Sequence, residues 1–201
     1  MPTMMASITA FSPSLSDRLR HWLAVVALVW GALAWGAEIE IANPQLSAGD
    51  DGWELSADFG FDFNARLEEA VARGVILPFV VEFELTRPRW YWFDEKVATR
   101  TQTHRLSYHA LTRQYRITTG GLHQSYGTLS EALRFLSRVR SWTVIDKGAA
   151  QPGEPYVAAL RMRLDLNQLP RPFQVAALGN RDWSLASDWK IWSVVLAAEA
   201  R

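Results

Sequence analysis

The chain has no cysteine, which excludes disulfides, thiolate metal sites and a lipidated N-terminal cysteine and leaves packing to supply stability. It has little lysine: three, against eighteen arginines. That bias fits either bidentate anion recognition or the base composition of the genome. It has no net charge, with 21 basic and 21 acidic residues, so neither a polyanion-binding surface nor an acidic tail is implied. No apolar run reaches the roughly 20 residues of a membrane-spanning helix. There is no internal repeat and no strict β-helix-β alternation. No G-x-G-x-x-G, phosphate loop, HExxH or G-x-S-x-G elbow occurs, which removes the nucleotide, zincin and hydrolase readings that such motifs carry.

What is present begins with Asp17-Arg18-Leu19-Arg20-His21, followed by an uncharged apolar run from Trp22 to Ala37 that ends in small residues. The order basic, apolar, small is that of a secretory signal. It predicts export to the periplasm with cleavage after Ala37, in preference to Ala34, because a strand pattern starts at Glu38; an uncleaved inner-membrane anchor over residues 22–37 is the alternative. Residues 38–201 then form one domain, large enough to bury its own core. Its net charge is about −1, because Arg18, Arg20 and Asp17 leave with the signal.

Hydrophobic periodicity defines the elements. Glu38 to Ala42 and Trp53 to Phe63 read as strands joined across Gly49-Asp50-Asp51-Gly52, the second with Trp53, Leu55, Ala57, Phe59, Phe61 and Phe63 on one face. Asn64 caps a short helix that buries Leu67, Ala70 and Val71 and stops at Gly74. Phe79 to Thr86 alternates as a long strand with one buried face, and Pro88 interrupts it before Trp90, Tyr91, Trp92 and Phe93. A register shift of one residue at Pro88 would turn Trp90 and Trp92 inward and Arg89 and Tyr91 outward, sparing the cost of burying an unpaired guanidinium. Strands at Arg105 to Ala110, Gln114 to Thr119 and Leu122 to Tyr126 follow, the last two joined by a Gly120-Gly121 turn. Thr128-Leu129-Ser130-Glu131 fits a capping box that opens a helix continuing to Val139, with Arg134, Arg138 and Arg140 towards the negative end of its dipole. Ser141 to Asp146 and Tyr156 to Leu166 are further strands. Pro172 to Leu178 forms a short helix closed by Gly179, and Asp188 to Leu196 is the closing strand. The fold class is α+β: a mainly antiparallel sheet in two layers, sandwich-like, with two or three short helices.

Four blocks carry a family resemblance: Phe83-Glu84-Leu85-Thr86-Arg87-Pro88-Arg89-Trp90-Tyr91-Trp92-Phe93-Asp94-Glu95, Leu106 to Arg116, Gly121 to Ser125, and Arg181-Asp182-Trp183-Ser184-Leu185-Ala186-Ser187-Asp188-Trp189. In these the sequence resembles the proteobacterial proteins grouped as domain of unknown function 4390, over nearly all of residues 38–201. The resemblance implies an exported single-domain protein of unassigned activity, with no catalytic residues to carry over. The association of such proteins with operons encoding a membrane sensor histidine kinase implies a signalling partner.

No side-chain constellation points to catalysis or to a cofactor. His104 and His109 are an odd number of positions apart on one strand and face opposite sides, so with His123 they make no metal set and read as hydrogen-bonded sheet histidines. Asp94 and Glu95 point apart and no second carboxylate is marked as a partner, while Ser125 near His123 is no triad. Interleaved Arg87, Arg89, Trp90 and Trp92 could pair phosphates and stack bases, but export and near-zero charge argue against nucleic acid. Two classes remain. The first is a non-catalytic interaction module that meets an envelope or membrane protein through Arg87, Arg89, Tyr91, Arg113 and Arg116, since Trp, Tyr and Arg are the residues of binding hot spots. The second is a carrier or sensor of an apolar or anionic small molecule held between the sheet layers. A cavity between the layers would favour the carrier, and a flat exposed aromatic patch the module.

Overall fold

A computed structural model describes residues 39–91 and 93–197. The expected signal segment, the cleavage position and Trp92 lie outside the described residues. Two antiparallel sheets share the strands, and the chain moves between them three times. β1 (Ile39–Gly49) and β2 (Gly52–Phe61) form a hairpin across Asp50 and Asp51. After α1 (Ala65–Ala72), a meander of β3 (Leu77–Arg87), β4 (Glu95–His109), β5 (Gln114–Thr119) and β6 (Leu122–Tyr126) builds most of the second sheet. The chain then passes through α2 (Leu129–Leu136) to β7 (Arg138–Asp146), which returns to β2, and next to β8 (Pro155–Leu164), which pairs with β3. A short helix, α3 (Arg171–Ala177), and the last strand, β9 (Lys190–Val195), close the order β6-β5-β4-β3-β8-β9 beside β1-β2-β7. The expected α+β class with a mainly antiparallel, two-layered sheet is the architecture found.

Side-chain parity explains how the layers meet. On β3, Leu77, Phe79, Val81, Phe83 and Leu85 are fully buried, and on β8, Tyr156, Ala158, Leu160, Met162 and Leu164 face the same core. Leu55, Ala57 and Phe59 of β2 come down onto them from the smaller sheet, and Phe61 stacks on Phe79 at 6.0 Å between ring centroids. β3 is thus the central strand, flanked by β4 and β8 over almost its whole length. Its other face carries Glu82, which accepts from Arg161 (Nε 2.8 Å, Nη2 2.5 Å) and Arg163 (Nε 3.2 Å, Nη2 3.0 Å). Burial pushes the Glu82 carboxyl up, but the two guanidinium forks outweigh it and hold it below the ordinary range. Arg161 also lies over the Trp189 ring at 4.6 Å, so this outer cluster is satisfied and structural.

Local signals set the element ends. Asn64 Oδ1 accepts from Leu67 N at 3.0 Å to start α1, and Gly74 leaves it at φ 87°. At α2 the capping box is complete: Thr128 Oγ1 accepts from Glu131 N at 3.2 Å while Glu131 Oε2 accepts from Thr128 N at 3.3 Å. The helix does not run on to Val139 as its periodicity predicts. Ser137 O accepts from Phe59 N at 2.8 Å and Val139 pairs with Ala57, so β2 captures the chain and turns it into a strand. Arg138 and Arg140 therefore belong to β7 and not to the helix. Register shifts along the β2–β7 pair, with Ser141 at φ 47°, let both Val144 and Ile145 turn inward.

Candidate functional site

The smaller sheet is too narrow to cover the larger one. β1 packs over β8 and β7 over β4, which leaves the inner faces of β5 and β6 beyond the free edge of β7. α2 crosses that gap, touching β5, β6 and β7. Between them lies a cavity of about 570 Å³, within the range of small-molecule sites. Its apolar wall is Ile117 of β5, Leu122 of β6, Phe135 of α2 and Val139 of β7; Gln102, His104, Thr119 and Gln124 add polar groups, and Arg134, Arg138 and Arg140 bring positive charge.

Three features of this wall are unmet by the protein. His104 is only 7% exposed; its Nδ1 lies 2.7 Å from Thr119 Oγ1, and its buried Nε2 has no hydrogen-bond partner among the described residues. In either tautomer one buried polar function of the ring is orphaned, at a cost of about 1–3 kcal/mol. Burial lowers the His104 pKa to about 4, so the ring is neutral at neutral pH. Arg134 and Arg138 form no ion pair among the described residues. Arg140, in contrast, is committed to Asp58 and to the carbonyl of Ala57 at 2.8 Å. Lastly, Leu122 stands 72% exposed on the edge strand that lines the cavity. Two other grooves have similar size, but neither has a buried polar side chain in its wall among the described residues.

The five residues assigned to a contact surface are not brought together. Arg87, Arg89 and Tyr91 lie at the β3–β4 turn, whereas Arg113 is in the β4–β5 turn and Arg116 on β5. β4 separates the two groups by roughly 45 Å at about 3.3 Å per residue. Arg87 is tied into the fold: it donates to Tyr156 Oη at 3.2 Å, lies over that ring, and sits 3.4 Å from Glu154. Arg89 pairs with Glu95. Tyr91 is 66% exposed beside Trp90 at 93% and Phe93 at 87%. The inward turn expected of Trp90 is thus overturned. β3 ends at Arg87 and β4 begins at Glu95, so strand parity no longer holds at Trp90, and the register shift falls earlier, between Leu85 and Thr86 on the β4 side.

The histidines are dispersed as parity requires. His104 faces the core, His109 lies by Thr112 at the end of β4, and His123 is bonded to Thr118 on the outer face. Among the described residues no three His, Cys, Asp or Glu side chains converge on a metal position. Nor is any described helix long and apolar enough to cross a membrane. Sequence reasoning missed Arg134, Arg138 and His104 as a group. His104 shares parity with Leu106 and Tyr108, which was a usable signal for its burial; nothing local marked the two arginines.

The fold and this cavity define an antiparallel two-sheet α+β protein with an amphipathic recess between its layers. The chain belongs to the family described as domain of unknown function (DUF4390), whose model matches residues 36–193. No curated protein and no solved structure gives a significant match.

Proposed function

We propose that this protein is an exported, non-catalytic binding protein that carries or senses a small molecule in the cavity under α2. The observation behind this reading is the cavity itself, about 570 Å³ between the sheet layers, with His104 in its wall, whose buried Nε2 has no hydrogen-bond partner among the described residues. A protein interior closes such gaps and pairs such groups unless something else is to occupy them. The test uses a neutral apolar dye, N-phenyl-1-naphthylamine, whose fluorescence rises on leaving water. Binding to the purified domain is expected, and Gln102→Trp, which fills the cavity without breaking a hydrogen bond of the described residues, should abolish it at an unchanged melting midpoint. Dye binding that Gln102→Trp leaves intact would place the site elsewhere and refute the reading.

Export rests on the basic, apolar, small order of Asp17 to Ala37. N-terminal sequencing of protein recovered from the periplasm should begin near Glu38. A full-length, membrane-embedded product would support the anchor instead.

A second reading, the interaction module, has its own observation: Trp90, Tyr91 and Phe93 project into solvent at one hairpin tip. Exposed Trp and Tyr are residues that contribute most to binding when a partner desolvates them. An envelope protein, or the outer domain of a membrane sensor kinase, is the partner this reading favours.

A further inference from the structure

We infer that the cavity under α2 takes an amphiphile with a single anionic head, with its apolar body against Ile117, Leu122, Phe135 and Val139 and its head at Arg134 and Arg138. The inference rests on the cavity reading above and adds the chemistry of the ligand. It follows from what the wall leaves over once internal pairing is counted. The apolar side is the larger share: an isoleucine and a valine at the base, a phenylalanine from α2, and a leucine left largely in water at the edge. A purely polar metabolite would leave that leucine exposed, whereas an acyl or aromatic body would cover it.

The charged side is cationic in excess. Three arginines line the cavity against one carboxylate, Glu131. Arg140 is neutralised by Asp58. Glu131 is turned to the backbone, where its Oε2 accepts from Gly127 N at 3.1 Å and from Thr128 N. Arg134 and Arg138 remain, one on the last turn of α2 and one on the first residue of β7, two elements joined by the single residue Ser137. Arg138 helps to keep the Asp58 carboxyl low, though it forms no ion pair with it. Two guanidinium groups that flank the same recess suit a carboxylate or phosphate, which they can grip with paired N–H donors. With Glu131 opposed to them the surplus is one positive charge, which favours a monoanion. His104, held neutral by its burial, adds no second charge and offers its free ring nitrogen deeper in the wall.

The experiment is a displacement series on the whole domain with N-phenyl-1-naphthylamine as reporter. It uses three single-chain competitors of equal tail length below their micellar concentrations: laurate, dodecanol and dodecyltrimethylammonium, with acetate as the head alone. Laurate should displace the dye at least tenfold more tightly than dodecanol, with the cationic chain weakest and acetate without effect. Arg134→Gln combined with Arg138→Gln should bring laurate to the level of dodecanol or below it, because Glu131 is then unopposed, while dye and dodecanol binding stay unchanged, which also shows that the variant is folded. If dodecanol equals laurate on the wild-type protein, or if the double variant keeps the preference, the anionic head is refuted while the cavity reading stands. If the dye and all the tails fail to bind, the cavity reading falls and this inference with it.

Discussion

His104 is where chemistry and stability meet at the scale of one residue. Its folded pKa, lowered from 6.5 to about 4 by burial, lies below that of the unfolded chain. Between those two values the unfolded state binds a proton that the native state refuses, so stability is full above about pH 6.5 and falls as pH drops towards 4. The loss attributable to this ring is about 3 kcal/mol at the bottom of that window. Urea midpoints at several pH values between 7 and 4 should show this slope in the wild type and lack it in His104→Phe. An unchanged slope in the variant would assign the pH dependence to other groups. Asp58, Glu82, Asp146 and Asp165 are held low and act in a separate, more acidic range. The burial of His104 was legible in its parity with Leu106; its orphaned nitrogen was not, because the groups that surround the cavity come from β7 and α2, distant in sequence.

At the scale of elements, the sequence resolved those whose signals are local and misplaced those decided by a distant partner. Gln114–Thr119 and Leu122–Tyr126 are found where alternation and the glycine pair put them, with Gly120 at φ 57°. The capping box at Thr128 marks the start of α2, but its end depends on β2, eighty residues earlier in the fold's wiring, and periodicity overran it. The same limit explains the hairpin of β3 and β4. Parity is informative only inside a ladder, and after Arg87 there is none. The energetic consequence is measurable. Trp90→Ala removes a ring that touches mainly water, so the denaturant midpoint should move by less than about 0.5 kcal/mol. Phe83→Ala, in the fully buried row of β3, should cost about 3–5 kcal/mol. If the tip is a contact surface, Trp90→Ala should lose envelope capture at unchanged stability. A large loss of stability in Trp90→Ala would mean that the tip belongs to the core.

At the scale of the molecule, the wiring has a consequence for folding order. The first hairpin waits for β7 to complete its sheet, since Ala57 pairs with Val139, and the central strand waits for β8, since Phe79 pairs with Leu164. Before either closure the chain lays down β4, β5 and β6 on one side of β3 only, with its other edge open. Both closures are long-range, so loop entropy opposes them until the shared core of Leu55, Phe59, Phe83 and Leu160 can form. Neither sheet is complete until a strand from the later half of the chain has joined it. The two sheets mature together, late in the chain, and the recess under α2 comes into being only at that moment, because its β7 wall arrives with the first of those closures.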